Sequence, residues 1–252
     1  MPVISRRRIT SPSEIGGDGL GLSDGQHWIV EDSIIDLSGW KLGEIDECVG
    51  VTWGCSATFC RCHIKGAGKL FLCGCGDSGK VAIESGKRVE LIDCILEDGG
   101  RRFPEVQDGM HVVMHGCLVK NWGAPDRFSV RSFGAWAHKG GKIDAYLCVF
   151  WQDSFWRPLK QMWADLVDHI GQAFNDEDWR ALLRPSTYLP GVCRGLFATD
   201  GGEAYSWRCW KNRWWIMLPW RKTTAMMEKE DAMKMVAELE GMAARLDAEL
   251  PR

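Results

Sequence analysis

The chain has 252 residues, of which 45% are hydrophobic and 26% are charged, and its formal net charge is -3. This length and apolar content can fill one sizeable core, so a single elongated domain is the expected organisation. The nearly balanced charge gives no global field that would favour nucleic acid. No apolar run reaches about 18 residues, which argues against a membrane span.

The first segment, residues 1–15, is predicted to be an extended N-terminal arm. It contains Arg6, Arg7 and Arg8, followed by a polar Ser-Pro-Ser turn. A solvated tail is the favoured interpretation, and a phosphate-binding or partner-binding patch is the alternative. The arm lacks the apolar h-region of a standard secretory signal. We therefore expect synthesis in the cytoplasm, with export by a non-standard route as the alternative.

Short strands separated by glycine-containing turns are predicted from residue 16 to residue 154. Apolar residues alternate with a period near two, β-branched residues are frequent, and turns recur about every eight to twelve residues, which excludes a helical repeat. The clearest predicted strands are 27–35, 58–64, 89–96, 111–119 and 142–150.

A cysteine recurs within these strands in a motif that reads apolar, two variable residues, cysteine, apolar. The equivalent positions, the first occupied by serine, are Ser33, Cys62, Cys94, Cys117, Cys148 and Cys209. Their spacings are 29, 32, 23, 31 and 61 residues, and the last is about two periods. One strand-bearing unit per period is typical of a solenoid.

Three all-β architectures have repeats near this length: a propeller, an antiparallel sandwich and a parallel β-helix. The period is short for a four-stranded propeller blade, and hairpin dipeptides such as Asn-Gly are missing. We therefore predict an all-β fold, a right-handed parallel β-helix with about three short strands per coil and one internal cysteine column.

The eleven cysteines are expected to be reduced, because a chain of this size does not need disulfides. The pairs Cys60/Cys62 and Cys73/Cys75 would suit a metal if both members of each pair faced the same way along a strand. However, Cys-x-Cys lacks the Cys-x-x-Cys spacing of zinc knuckles, so we do not expect zinc.

Two segments depart from the strand pattern. Apolar residues at three- and four-residue steps predict a helical or loop insertion over 155–200, before a final, Trp-rich coil over 201–222. Thr223 and Thr224 are predicted to cap a C-terminal helix in 223–252, which ends near Leu250. Its heptad pattern has two interpretations, docking on the body in cis or self-association as a trimer.

The order of short motifs from Asp18 to Trp151 resembles the pectate lyase superfamily of polysaccharide lyases. The matching pieces are Gly17-Asp18-Gly19-Leu20, Trp28-Ile-Val-Glu31-Asp32-Ser33, the stretch DECVGVTWG from Asp46, Gly68-Lys69 through Gly74, Arg102-Phe-Pro104, Gly109, His111-Val-Val and Asn121-Trp122. The resemblance implies a right-handed parallel β-helix with a site for an acidic polysaccharide.

β-Elimination from a uronic acid needs a base at C5, cations that neutralise the carboxylate, and a donor near the leaving oxygen. The resemblance implies Arg102 as the base with Lys69 assisting, and Asp18 with Asp46 as ligands of Ca²⁺, a cation that prefers oxygen donors. It further implies substrate binding by Gln107, His111 and Trp122.

The chain also departs from the family pattern. Gln107 stands where the family has a second arginine, Gly50 replaces an expected aspartate, and Met114-His115 replaces an Asn-Asn pair. Fewer carboxylates weaken metal binding, and one cation fewer weakens the stabilisation of developing charge.

Aromatic and basic residues are concentrated in the stretch WRCWKNRWWIMLPWRK, from Trp207 to Lys222. Indole faces can stack on sugar rings and arginine can pair with uronate, so this stretch could bind a glycan. Core packing and subunit contacts are the alternative. Nucleic acid would use the same residue types, but nothing else in the chain resembles a nucleic-acid module.

Two functional hypotheses follow. The first is a structural or glycan-binding β-helix of a bacteriophage tail or capsid surface, a homo-oligomer that contacts other virion proteins and a cell-surface glycan. Reduced cysteines and the missing signal favour it, because such proteins are made in the cytoplasm and released by lysis. The alternative is an active, Ca²⁺-dependent polysaccharide lyase.

Overall fold

A computed structural model describes residues 1–13, 17–23, 25–40, 44–45, 47–52, 54–66, 69–74, 87–100, 102–123, 134–153, 195–219 and 226–251. The strands within these ranges are β1 (Val3–Ser5), β2 (Arg8–Ile9), β3 (Leu20–Leu22), β4 (His27–Glu31), β5 (Ile34–Leu37), β6 (Val49–Val51), β7 (Ser56–Cys60), β8 (His63–Gly66), β9 (Phe71–Cys73), β10 (Arg88–Ile92), β11 (Ile95–Glu97), β12 (Glu105–Val106), β13 (His111–His115), β14 (Leu118–Lys120), β15 (Ala135–Ala137), β16 (Lys142–Tyr146), β17 (Val149–Trp151), β18 (Leu196–Ala198), β19 (Glu203–Trp207) and β20 (Trp210–Lys211). A single helix within them, α1, spans Lys229–Glu249.

The strands form three parallel sheets, each of which takes every third strand. Sheet A has the order β1-β4-β7-β10-β13-β16-β19, sheet B the order β2-β5-β8-β11-β14-β17-β20, and sheet C the order β18-β15-β12-β9-β6-β3. Neighbours in a sheet therefore come from consecutive coils of the chain. This is the arrangement expected of a parallel β-helix, and it confirms the predicted all-β architecture with three strands per coil.

A tight corner separates sheet A from sheet B in each coil, and it divides all five of the clearest predicted strands in two. The residue before the repeated serine or cysteine has a positive φ, near +50°, in the left-handed region. The corner residues are Asp32, Arg61, Asp93, Gly116, Leu147 and Arg208. Two-residue connections of this kind keep consecutive strands short and fix the angle between the two sheets.

The cysteine positions form a column inside the solenoid, as predicted. Pairing of the residues that follow them, such as Ile95 with both His63 and Leu118, places Cys94 between Cys62 and Cys117. The Cys94 thiol donates to the carbonyl of Ile92 at 3.3 Å, and Cys117 donates to Leu91 at 3.2 Å. The column cysteines are free and buried.

Ser33 has the same role in the second coil, between β4 and β5. Its hydroxyl donates to the Glu31 carbonyl at 2.7 Å and accepts a hydrogen bond from the Arg7 amide at 3.1 Å. In later coils each column thiol donates to the carbonyl two residues before it. The smaller, more polar hydroxyl of Ser33 makes the equivalent hydrogen bond.

Cys60 does not share the orientation of Cys62. Cys60 ends β7 and is only half-buried, whereas Cys62 follows the corner at Arg61 and lies in the core. The corner lies between the two cysteines, so the assumption that both lie on one strand is wrong. The Arg61 guanidinium donates to the Cys60 sulfur at 3.1 Å.

We expect Cys60 to react with iodoacetamide before the other cysteines that the structure places. Burial raises the pKa of Cys60, but burial raises the pKa of Cys48 to about 12 and that of Cys117 well above its ordinary range. The thiolate is the reactive form, so exposure and ionisation both favour Cys60 over Cys48 and Cys117. The hydrogen bond with Cys148 lowers the pKa of Cys209, but Cys209 is buried, so exposure favours Cys60 there. Peptide mapping after brief labelling measures the order, with Cys60→Ser as the control. Equal labelling of Cys94 or Cys117 would contradict the packing described.

The N-terminal segment is part of the solenoid, in contrast to the predicted separate arm. β1 pairs with β4, and β2 pairs with β5. Arg6 and Arg8 form ion pairs of 2.8 Å with Glu249 and Asp247 at the C-terminal end of α1. Arg8 also donates to the Asp247 carbonyl at 3.0 Å. Cations at this end are favourable because carbonyl groups carry the negative end of the helix dipole.

Helix α1 packs in cis against the outer face of sheet B. Its apolar side, which includes Val236, Leu239 and Leu246, forms one buried cluster with residues of that face. The sheet residues in this cluster include Ile34, Ile95, Leu118 and Val149. The structure therefore agrees with the first interpretation of the heptad pattern, in which the helix docks on its own chain.

Among the described residues, no helix combines the length and apolarity that a membrane crossing requires.

The helix begins later than predicted. Glu228 occupies the N-cap position and makes no side-chain capping hydrogen bond. Thr223 and Thr224 lie outside the described residues. The predicted insertion also lies largely outside them, although its last part already forms β18 of sheet C.

A charged group on sheet B continues onto the helix. Glu97 lies 2.9 Å from the His63 ring nitrogen and 3.4 Å from the Lys120 ammonium, which in turn lies 2.9 Å from Glu240 of α1. The hydrogen bond from His63, followed by the nearby positive charges, holds the pKa of Glu97 below its ordinary value of 4.5. The stability of the fold therefore depends on pH through the ionisation of Glu97.

Glu97→Gln is expected to reduce the loss of stability in acid. A carboxyl with a lowered folded-state pKa contributes stability above its unfolded value of 4.5, and the contribution is lost as the pH falls through the folded-state pKa. The free energy of unfolding, measured by urea denaturation at about pH 7 and about pH 3, should therefore fall less in Glu97→Gln than in the wild type. Glu238→Gln, on the exposed side of α1, is the control. An unchanged difference between the two pH values would refute the linkage.

Candidate functional site

A row of ionisable side chains crosses consecutive coils on the outer side of sheet C. Backbone hydrogen bonds place the residues before β3, β6, β9 and β12 next to one another, for example Gly19 N–H to Glu47 and Cys48 N–H to Lys69. Glu105 and Val106 are consecutive in β12, so their side chains point to opposite faces of the sheet. Val106 belongs to the core, and Glu105 therefore faces outward. We call the set the charged row, and its members are Asp18, Glu47, Lys69, Arg102, Glu105 and His138.

Glu47 is the centre of this row. Its side chain is only 2% exposed, and it lies 3.7 Å from the Lys69 ammonium and in direct contact with the Arg102 guanidinium. Arg102 also lies 2.9 Å from Glu105, so one arginine connects two carboxylates. The structure therefore brings together Lys69 and Arg102, the two residues predicted to be catalytic, but it joins both of them to an internal carboxylate.

The row continues from Glu105 to an aromatic group. Glu105 lies 3.0 Å from the His138 ring nitrogen, and both side chains are buried. The His138 ring stacks on Trp136 with centroids 3.9 Å apart, and Trp136 is parallel to Phe197 at 5.9 Å. The Trp136 indole N–H donates to Thr199 at 2.8 Å.

Sequence reasoning missed Glu105 and His138 as site residues. Glu105 and His138 are 33 residues apart, close to one coil of the predicted repeat. That spacing could have indicated that they meet on neighbouring strands. The signal was not usable in advance, because it requires knowing which residues of each short strand face outward.

Asp18 fits a space that a glycine leaves open. Its carboxylate accepts a hydrogen bond from the Glu47 amide at 3.2 Å. A Cβ built on Gly50 would lie 2.2 Å from the Asp18 carboxylate oxygen. The glycine that replaces an expected aspartate is therefore required for the position of Asp18.

The part of the row that the structure describes does not fit a calcium ion. Within the described ranges, no group of three or more histidine, cysteine, aspartate or glutamate side chains could hold a metal. Glu47 is already shared by Lys69 and Arg102, whose positive charges oppose a nearby Ca²⁺. Asp46, the second predicted ligand, lies outside the described residues.

The predicted substrate-binding residues are dispersed over the structure. Gln107 adjoins the charged row and accepts a hydrogen bond from Lys139 at 3.4 Å. His111 lies on sheet A, 2.9 Å from Asp144. Trp122 is fully buried and packs edge-on against Phe150, with centroids 6.2 Å apart. Its indole therefore lies in the core and has no accessible face for a sugar.

The Trp-rich stretch has both core and surface positions. Ile216 and Leu218 are buried in the core, and the Gly195 amide donates to Met217 at 3.1 Å, so this segment covers the last coil. Trp207 is 36% exposed and Trp214 is 86% exposed. The stretch therefore contributes Ile216 and Leu218 to the core and leaves Trp207 and Trp214 at the surface.

The geometry of the charged row limits its chemistry. Transferring ionised groups out of water is costly unless each is paired, and here the pairing is internal. Glu47 and Glu105 compensate the charges of Lys69 and Arg102, the two cations that a uronate would need. The row is thus arranged to hold neighbouring coils together.

No known protein-family model and no curated protein matches this chain.

Proposed function

We propose that this chain is a structural, glycan-binding protein of a bacteriophage particle, built on a right-handed β-helix that resembles pectate lyase but does not catalyse elimination. The observation that carries this proposal is the pairing of Arg102 with both Glu47 and Glu105. A base for β-elimination must accept a proton from the sugar. A guanidinium that contacts two carboxylates is poorly suited to that role.

The position of Lys69 supports the same conclusion. A uronate would have to compete for the Lys69 ammonium with Glu47, which lies 3.7 Å away and is already fixed by the fold. Preorganised charges stabilise a transition state only when they are directed at the charge that develops there. Here the positive charges are directed at Glu47.

Glycan binding is supported by Trp207, which lies on a strand and remains 36% exposed. An exposed indole on a rigid sheet provides contact area with little loss of conformational entropy. In this proposal the partner is an acidic polysaccharide or cell-surface glycan, and the solenoid fixes the spacing of the residues that bind it.

The proposed setting is a virion assembled in the cytoplasm and released by lysis, where other virion proteins are partners. Buried, reduced cysteines suit synthesis in a reducing compartment. The apolar side of α1 is covered by sheet B, so a homo-oligomer would form through another surface. The setting itself rests on analogy with other β-helix proteins.

One observation favours the alternative, a Ca²⁺-dependent lyase. Lys69 and Arg102 do meet in one place, as that mechanism requires. For activity, Glu47 would have to release Arg102 when substrate binds, and Asp18 with Asp46 would have to supply the calcium ligands.

An elimination assay separates the two functions. The protein is incubated with polygalacturonate and related uronates, with and without Ca²⁺, and the ultraviolet absorbance of the unsaturated product is followed. We expect no rise in absorbance. A calcium-dependent rise that is lost in Arg102→Lys, and kept in Arg88→Lys, would overturn the proposal. Arg88 is a suitable control because it is paired with Glu90 on sheet A, outside the charged row.

A further inference from the structure

Three aromatic side chains and one arginine lie together on the outer face of the last two coils of sheet A. They are Tyr146 at the end of β16, Tyr205 and Trp207 in β19, and Arg208 at the following corner. We call this set the aromatic surface. It lies on a different sheet from the charged row, and it includes Trp207 and Arg208 of the Trp-rich stretch, for which glycan binding is one of the two sequence interpretations.

Strand register fixes the positions of the rings. Tyr146 pairs directly with Trp207, and Asp144 pairs with Tyr205. The Tyr146 ring centroid lies 5.7 Å from that of Tyr205, at 69°, and 6.5 Å from that of Trp207, at 58°. Tyr146 therefore contacts both Tyr205 and Trp207, while Trp207 remains 36% exposed.

Arg208 adds a positive charge beside the indole. Its guanidinium carbon lies 5.5 Å from the centroid of the Trp207 ring, within the range of a cation–π contact. Arg208 is exposed, and none of the described acidic side chains forms an ion pair with it. The neighbouring carboxylate of Asp144 is already bound by His111 at 2.9 Å and Lys142 at 3.6 Å.

We infer that the aromatic surface binds a glycan chain that carries carboxylate groups, and this assignment rests on the proposed glycan-binding function. The indole of Trp207 packs on the apolar face of one sugar. The guanidinium of Arg208 pairs with the carboxylate of that sugar or its neighbour, an arrangement in which arginine can form two parallel hydrogen bonds. The charge of Arg208 thus selects an acidic glycan over a neutral one.

The test measures binding of two probes to the full chain by isothermal titration calorimetry. The probes are tetragalacturonate and the neutral cellotetraose. We expect Trp207→Ala to weaken tetragalacturonate binding by about tenfold or more, the equivalent of about 1.4 kcal/mol. Arg208→Gln should remove the preference for the acidic probe and leave cellotetraose binding unchanged. Trp214→Ala, which removes an even more exposed tryptophan outside the aromatic surface, should bind as the wild type does.

The outcomes distinguish this inference from the function on which it rests. If tetragalacturonate binds the wild type and Trp207→Ala binds equally well, the aromatic surface is the wrong site, but glycan binding stands. An equal loss in Trp214→Ala, or a preference that survives in Arg208→Gln, also overturns the assignment. If neither probe binds the wild type, glycan binding and the aromatic surface fail together. Thermal unfolding of each variant verifies that the fold is intact.

Discussion

Glu47→Gln is expected to lower the free energy of unfolding by about 3 kcal/mol, because it removes one partner of a buried ionic group. Glutamine has nearly the same shape, so the change tests charge and leaves packing intact. Lys69 and Arg102 would lose their shared counter-ion while their side chains remain only 22% and 15% exposed. Urea denaturation monitored by circular dichroism measures the difference.

The matched control is Glu249→Gln. This residue also pairs with an arginine, Arg6, but both side chains are at least half exposed. Surface pairs of this kind contribute about 0–1 kcal/mol. If the two variants lose the same stability, the charged row is not a buried network and its role in holding the coils together is wrong.

Trp122→Ala is expected to cost about 3–5 kcal/mol, since it removes a fully buried indole and leaves a cavity. The affinity of the folded protein for a glycan should not change, because Trp122 has no exposed face. Trp214→Ala removes the same side chain from the surface and should change stability by about 0.5 kcal/mol or less.

Trp122→Phe provides a milder variant if the alanine variant does not fold. It keeps most of the contact with Phe150 and should lie between the other two in stability. A stable Trp122→Ala protein with weakened glycan binding would contradict the core position and would restore the role that the sequence resemblance implied.

The coil repeat was predictable because one residue type marks one position in each turn. Cysteine suits a narrow interior, where its side chain bonds to nearby carbonyls, and its spacing gave the period. The corners were not predictable. Asp93 and Leu147 adopt positive φ without being glycine, and the stacking of coils, which no local pattern reports, holds them in that conformation.

The site was predicted in part for the same reason. Lys69 and Arg102 lie at equivalent positions of neighbouring coils. The order of the motifs along the chain was therefore sufficient to predict that they lie close together. His111 begins β13, the strand that follows β12 in the chain, and β13 lies in sheet A, whereas β12 lies in sheet C. The four residues 107–110 between β12 and β13 carry the chain to a different face of the solenoid, so proximity in sequence does not predict proximity in the site.

The cysteine column also determines whether folding must precede exposure to an oxidant. Thiol–disulfide exchange proceeds through the thiolate, and burial raises the pKa of Cys94, Cys117 and Cys148 well above the ordinary value. The folded solenoid protects these sulfurs from oxidants in its surroundings. The unfolded chain has no such protection, so folding must be complete before the protein meets an oxidising environment.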